Sequence, residues 1–250
     1  MSVLLTIVTV AAFDHSRLKL TIESTRKLPS SVEHVFIIPE QDQVSRQILE
    51  DALYQGKQLK VAHDSNSGVY SAMNLGVIIA SGEYVIFWNS GDLMYSNSEL
   101  EFFVTEIEAS KPTWAVARGV LEGGAIHENS LHDLWDFRNQ KLGSYLSHQV
   151  VACNRRVMFD LGLFDQRYRV AADTKLIQKL TRLNQPLISS SKIVYIETPQ
   201  YSAKFHRRSR YETAKLAFLD LLLYFQMKPL LNVTMRELKF LRKLLGSFFG

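Results

Sequence analysis

An α/β architecture with a mostly parallel central sheet, flanking helices and a helical C-terminal extension is the expectation for this 250-residue chain. Three observations carry it. In the first ninety residues, β-branched apolar runs alternate with segments of helical spacing, the rhythm of a parallel three-layer sheet. Apolar residues make up 46% and charged residues 22%, enough for a sizeable core in one large domain. No uncharged apolar stretch of about 18 residues occurs, so no spanning helix is expected.

The elements follow in order. Leu4 to Val10 is an apolar, β-branched run; the opening has no basic n-region and soon reaches Asp14, so it reads as a strand and not as a signal peptide. Ser16 to Leu28 has helical spacing through Leu18, Leu20 and Ile22, and Pro29 stops it. Val32 to Ile38 is a second strand closed by Pro39. Asp42 can cap a helix from Gln43 to Tyr54, with Gly56 beyond its end. Leu59 to Ala62 reads as a short strand, Val69 to Ala80 as a helix stopped by Gly82, and Tyr84 to Trp88 as a buried strand. A helix from Asn97 to Ser110 and a strand from Trp114 to Leu121 come next. The polar stretch from Gly123 to Gln140 reads as a loop or partly ordered insert. Short helices are expected at Arg155 to Gly162 and Asp173 to Asn184, with a late strand at Ile193 to Ile196. Tyr211 to Gln226 and Met235 to Phe249 have helical spacing, divided near Pro229.

The net charge of +4 is unevenly spread. Residues 201–250 hold ten Lys/Arg against three Asp/Glu, and the first two hundred hold nineteen against twenty-two. A basic tail on a mildly acidic body suggests an anionic partner at one end. Nucleic acid is a poor candidate, because the tail lacks a recognisable module and mixes its charges with an apolar stripe. The single cysteine, Cys153, excludes a disulfide framework and a multi-cysteine zinc site. It fits a reducing compartment, so a cytoplasmic protein is expected, and the residue itself reads as packing.

Ligands of open parallel sheets bind beyond the carboxyl ends of the strands. Four polar clusters fall there: Thr9, then Glu40 and Asp42, then Asp64-Ser65-Asn66-Ser67-Gly68, then Asn89-Ser90-Gly91-Asp92. A buried strand ending in small polar residues and a carboxylate suits Mg²⁺ or Mn²⁺ holding a diphosphate. A turn that caps a helix is the plainer reading of the same four residues.

The string from Asp64 to Asp92 resembles the nucleotide-sugar-binding half of inverting family 2 glycosyltransferases, with its G-[IV]-Y-x-A-M-N-x-G helix and F-x-N-S-[GD]-D strand end. Gly68, Val69, Tyr70, Ala72, Met73, Asn74, Gly76, Gly82, Glu83, Tyr84, Phe87, Asn89, Ser90, Gly91 and Asp92 match. The opening TIVTVAAF, which includes Thr9 and Ala11, looks like the family's first strand and nucleotide-contacting turn. Ser147-His148-Gln149, Arg155 to Phe159, Gly162 to Asp165 and Ala171-Ala172-Asp173 look like its acceptor half.

The resemblance implies a GT-A fold, with residues 1–95 as the nucleotide-sugar-binding half, 96–200 as the acceptor half and 201–250 as a basic helical extension. It implies an inverting transfer from a nucleotide-sugar, a UDP-sugar first, to a carbohydrate or lipid-linked acceptor, as in surface polysaccharide synthesis. Asp92 would then hold the metal. Thr9, Ala11, Glu40, Asp42, Asn66, Gly68, Asn74, Asn89, Ser90 and Gly91 would line the donor site. His148 and Gln149 would meet the donor or acceptor sugar. Asp173 matches the general base, and such a base needs burial or a carboxylate neighbour to raise its pKa. By itself Asp173 also reads as the N-cap of the helix that follows.

The chain departs from the family after the second strand, where Ile38-Pro39-Glu40-Gln41-Asp42 replaces the base-gripping D-G-x-S-x-D-G. That departure supports a second reading, a catalytically impaired nucleotide- or glycan-binding relative. The segment Lys204 to Arg210 is expected to fold over the donor, with His206 or Arg207 on the diphosphate, or else to form a solvated basic turn. Met235 to Phe249 carries Met235, Leu238, Leu241, Leu245 and Phe248 on one face. Packing on the domain or on a second subunit is its simpler explanation, and peripheral contact with an anionic membrane is the alternative.

Overall fold

The computed structural model describes residues 3–54, 59–65, 67–121, 124–127, 146–197, 207–209, 211–213 and 215–216. The N-terminal half is a parallel sheet wrapped by helices. Strands β1 (Leu5–Val10), β2 (Val32–Pro39), β3 (Lys60–Asp64) and β4 (Tyr84–Asn89) alternate with helices α1 (His15–Ser24), α2 (Gln43–Tyr54) and α3 (Val69–Ile79). They lie in the order β3-β2-β1-β4, and every pairing among them is parallel. Strand order reverses beside β1, which places a crevice at the carboxyl ends of β1 and β4.

The second half continues the sheet through β5 (Leu93–Met94), β6 (Trp114–Leu121), β7 (Ile126–His127), β8 (Val151–Asn154) and β9 (Leu187–Ile196). The full order is β3-β2-β1-β4-β8-β6-β9-β5, with β7 paired to β6. Here β8 runs antiparallel to both β4 and β6, while β9 runs parallel to β6. Helices α4 (Asn97–Ser110), α5 (Arg155–Asp160) and α6 (Ala172–Leu183) cover it.

Local chemistry explains the boundaries. Helix α1 ends at Ser24, short of the expected Leu28, because the Thr25 hydroxyl turns back to the Thr21 carbonyl at 2.9 Å and competes with the next turn. Ser96 caps α4 by accepting the Glu99 amide, and Lys111 closes it in the left-handed region at φ 46°. Strand β9 is ten residues long against an expected four. Its first half runs through Ser189-Ser190-Ser191, where Ser189 and Ser191 are buried and the Ser189 hydroxyl donates to Glu106 of α4 and accepts the Ser191 amide. Strand β8 was not anticipated, nor were the two-residue β5 and β7. The expected helices at 211–226 and 235–249 lie almost wholly outside the described residues; 207–209, 211–213 and 215–216 are helical.

One large apolar cluster joins both halves and includes Val8, Trp88, Phe103, Trp114, Met158 and Leu216. Buried against Phe36 and Trp88, His34 is neutral: burial pushes its pKa down to about 3, while Thr9 and Thr25 hydroxyls meet its two nitrogens. Cys153 is buried, and burial pushes its thiol up to about 12, in keeping with a packing role. Among the described residues no helix is long and apolar enough to cross a membrane.

Candidate active site

The ends of β1 and β4 carry the first side of the site. Beyond β4 the chain turns through Asn89-Ser90-Gly91-Asp92, and Gly91 takes φ +105°, which an L side chain rarely adopts. Asp92 is fully buried. Its Oδ2 accepts the Asn89 amide at 2.6 Å, its Oδ1 accepts the Glu197 amide at 3.1 Å, and the Gln149 side chain adds a further hydrogen bond. Burial pushes its pKa up to about 6, against the pull of those amides. Thr21 ties the turn to α1, donating to the Asp92 carbonyl and accepting the Gly91 amide.

This geometry tests the metal expected on Asp92. Both carboxylate oxygens are held by backbone amides, and the residue two before it, where a partner carboxylate would help, is Ser90. Glu197 fills the space beside Gly91, but Arg17 holds one of its oxygens at 2.6 Å. Among the described residues no group of three His, Cys, Asp or Glu side chains could hold a metal ion. Asp92 is thus the single carboxylate of the turn, and a divalent ion held there would draw its other ligands from neutral oxygens and a bound diphosphate.

The loops after β1 and β2 meet through Asp42. Its carboxylate accepts the Phe13 amide at 2.7 Å, His15 Nε2 at 3.0 Å, and the Ser45 amide and hydroxyl. Burial would raise its pKa, yet these donors outweigh it and hold the group at about 2. Asp42 is thus the expected cap of α2, with no oxygen left over for a base. Glu40 is exposed in the adjoining turn and Pro39 ends β2. Thr9 is buried beneath the crevice on His34, and Ala11 is buried at its floor. Gly68 precedes α3 at φ +112° with open space around it. Asn66 and His206 lie outside the described residues. Arg207 is exposed and helical.

The second side comes from the acceptor half. A 3-10 turn, His148–Val150, leads into β8, and α6 opens with Ala172. His148 Nδ1 lies 3.1 Å from Asp173 Oδ2. Asp173 Oδ1 accepts the Thr174 amide at 2.8 Å and lies 3.0 Å from the Tyr70 hydroxyl. Asp173 is therefore the second residue of α6, whose N-cap is Ala171, and the capping alternative is corrected. Burial would raise its pKa, but His148, Thr174 and Tyr70 together bring it below the ordinary carboxylate value. Gln149 is buried between Ser147 and Asp92, joining the two sides. Asn74 does not face the crevice: its amide group clamps the Phe164 backbone, Nδ2 donating to the carbonyl and Oδ1 accepting the N–H, each at 3.0 Å.

Four residues without an expected role shape the site. Tyr70 reaches Asp173 from α3. Glu197 and Arg17 pair beneath the turn at 91. Glu212, buried, accepts the amides of Arg169, Val170 and Ala171 at 2.8 to 3.1 Å, immediately before α6, and is held by Arg208. Only the Arg208/Glu212 spacing of four in the sequence hinted at an ion pair there.

A family model described as Glycosyl transferase family 2 matches residues 6–161. A PGL/p-HBAD biosynthesis glycosyltransferase of Mycobacterium bovis and one of Mycobacterium tuberculosis are each 30% identical over 125 residues, 47% of this chain and 45% of the relative. The chain thus spans less than half the length of the curated relatives it matches. Among solved structures, S. aureus TarS 1–349 in complex with UDP-GlcNAc superposes with a TM-score of 0.69 at 18% identity, covering 98% of this chain and 71% of that one. The mannosyltransferase PcManGT from Pyrobaculum calidifontis, in complex with GDP-Man and Mn²⁺, gives 0.61 at 13% identity, covering 87% and 64%. These likenesses bear out the GT-A fold.

Proposed function

The chain belongs to glycosyl transferase family 2, and on that premise we propose that it moves one sugar from a UDP-sugar to a hydroxyl of a carbohydrate or lipid-linked acceptor, with inversion. The observation that carries the proposal is the convergence of the Asn89–Asp92 turn with the His148–Asp173 pair through Gln149. Support for UDP comes from TarS, which is solved with UDP and with UDP-GlcNAc. The mycobacterial relatives are named for a biosynthetic glycosyltransferase, which favours a biosynthetic acceptor.

Transfer needs a held diphosphate, a deprotonated acceptor oxygen and an in-line arrangement of the two. The turn at 89–92 would receive the diphosphate. Ser90 Oγ, buried and without a hydrogen-bond partner among the described residues, is a donor that a phosphate or ribose oxygen would satisfy. The His148–Asp173 pair would take the acceptor proton. One neighbour holds Mn²⁺ beside its GDP-sugar; in this chain no step is assigned to an ion on Asp92. Residues 1–95 would bind the donor and 96–200 the acceptor, with 201–250 as the basic extension.

The test is thermal shift with UDP, GDP and dTDP, each with and without Mn²⁺, followed by turnover of the matching sugar nucleotides and anomeric analysis of the product. Stabilisation by UDP with turnover supports the reading, and stabilisation without turnover of any donor supports the second one. That second reading, a nucleotide- or glycan-binding relative without catalysis, is favoured by Pro39 and by the commitment of Asp42 to capping. We place the protein in the cytoplasm. Peripheral membrane contact through 235–249 is tested by flotation with anionic liposomes before and after removal of 233–250; unchanged flotation removes it.

A further inference from the structure

We infer that Tyr70 is a positioning residue for the transfer: its hydroxyl ties the Asp173 carboxylate to the Val170 carbonyl and fixes that carboxylate in place for the acceptor. The inference rests on the transferase reading above, with Asp173 as the group that takes the acceptor proton. It adds to that reading a residue supplied by the donor half.

The Tyr70 hydroxyl lies 2.6 Å from the Val170 carbonyl oxygen and 3.0 Å from Asp173 Oδ1. A phenol carries one proton, so the two acceptors share it. Packing aims the ring: Tyr70 is buried and stacks on Phe164 with centroids 5.5 Å apart. One turn further along α3, Asn74 clamps the Phe164 backbone, so the surface that supports the ring is itself held by the same helix. The Val170 peptide is gripped from its other end as well, since Glu212 Oε2 accepts its N–H at 2.8 Å. Around the carboxylate, His148 Nδ1 faces Oδ2 and the Thr174 amide donates to Oδ1.

A hydroxyl suits this place better than a second amide. A fixed donor such as the Thr174 amide favours the charged carboxylate and opposes its protonation. The Tyr70 proton has two acceptors within reach. It points to Oδ1 while the carboxylate is charged and turns to the Val170 carbonyl once the carboxyl is neutral. In the transfer the acceptor O–H bond breaks and its proton goes to Asp173, while the oxygen bonds the anomeric carbon. The nucleoside diphosphate leaves with the electron pair of the bond that breaks. Tyr70 therefore holds the side chain on both sides of that step. Such placement matters because a shift of about 1 Å at a reacting group can cost about a hundredfold in rate.

The test uses the full chain and the sugar nucleotide it turns over. Tyr70→Phe keeps the ring on Phe164 and removes only the hydroxyl. It is expected to lower kcat by about tenfold, with the donor KM within about threefold. The loss should persist on the alkaline plateau of the pH profile, where a change in titration alone would not lower the rate. Thermal stabilisation by UDP should match that of the parent, which reports an intact fold and donor site. Independently of turnover, the Asp173 carboxyl, followed by ¹³C resonance and assigned with Asp173→Asn, should titrate at higher pH in Tyr70→Phe. An unchanged kcat, an unmoved carboxyl titration, or a kcat loss matched by loss of UDP stabilisation overturns the assignment. The two failures separate: a parent chain that turns over no donor removes the transferase reading, whereas parental turnover that Tyr70→Phe leaves intact removes only the role of Tyr70.

Discussion

Gly91 and Glu197 share one space: a Cβ on the glycine would stand 1.9 Å from Glu197 Oε2. With φ at +105° as well, Gly91→Ala is expected to lose about 1–3 kcal/mol of stability. Adding Glu197→Ala should relieve the collision and leave the backbone strain. Urea denaturation of the two variants measures this, and a Gly91→Ala protein as stable as the parent would refute the crowding.

Asp92 predicts a pH dependence. Its folded pKa is raised from 3.8 to about 6, so between these values the folded chain binds more protons than the unfolded one. The contribution is therefore present below about pH 4 and is lost as pH rises through 6, about 3 kcal/mol in all. Asp92→Asn should flatten the stability profile between pH 4 and 6. If the side chain also holds an ion, the substitution would in addition abolish Mn²⁺-dependent stabilisation by UDP.

Asp42 has the opposite sign. Its folded pKa lies at about 2 against 3.8, so its stabilisation is present above about pH 4 and fades as pH falls toward 2, about 2 kcal/mol. Asp42→Asn keeps a good helix cap and should lose mainly this acid-sensitive part. Asp42→Ala should lose about 1 kcal/mol more through the cap. Equal stability of the two at pH 7 would remove the capping role.

Glu212 holds three amides ahead of α6. Glu212→Gln keeps one acceptor oxygen and loses the charge, so a loss of about 1–3 kcal/mol is expected. Because those amides precede Asp173 directly, kcat should fall with the donor KM little changed. Equilibrium unfolding and steady-state rates test the two effects separately.

The parallel half was legible because each of its elements is a separate, strongly patterned segment: buried runs such as Tyr84 to Trp88, and helices with a cap or stop signal such as Asp42 and Gly82. The later half was harder to read because its sheet mixes directions and its strands are interrupted. Ser189 and Ser191 conceal half of β9, and β8 is one apolar run among many. At the site, the pairing of His148 with Asp173 joins residues 25 apart in sequence, and no periodicity encodes it. The sequence named Asp92 and Asp42 as important but could not say that backbone amides, joined at Asp42 by His15 and Ser45, hold their carboxylates. Asn74 misled for the same reason, since an amide facing a ligand and one clamping a backbone look alike in a string of letters.

The Asn74 clamp has a mechanical implication. One side chain on α3 grips the main chain at Phe164, and from the same helix Tyr70 touches Asp173, so a single rigid rod spans the seam between the strand ends that would receive a nucleotide and the imidazole opposite. A tilt of that rod when a nucleotide settles would reach His148 and Asp173 together, and Asn74→Ala, by freeing one end, should let the two rims drift independently.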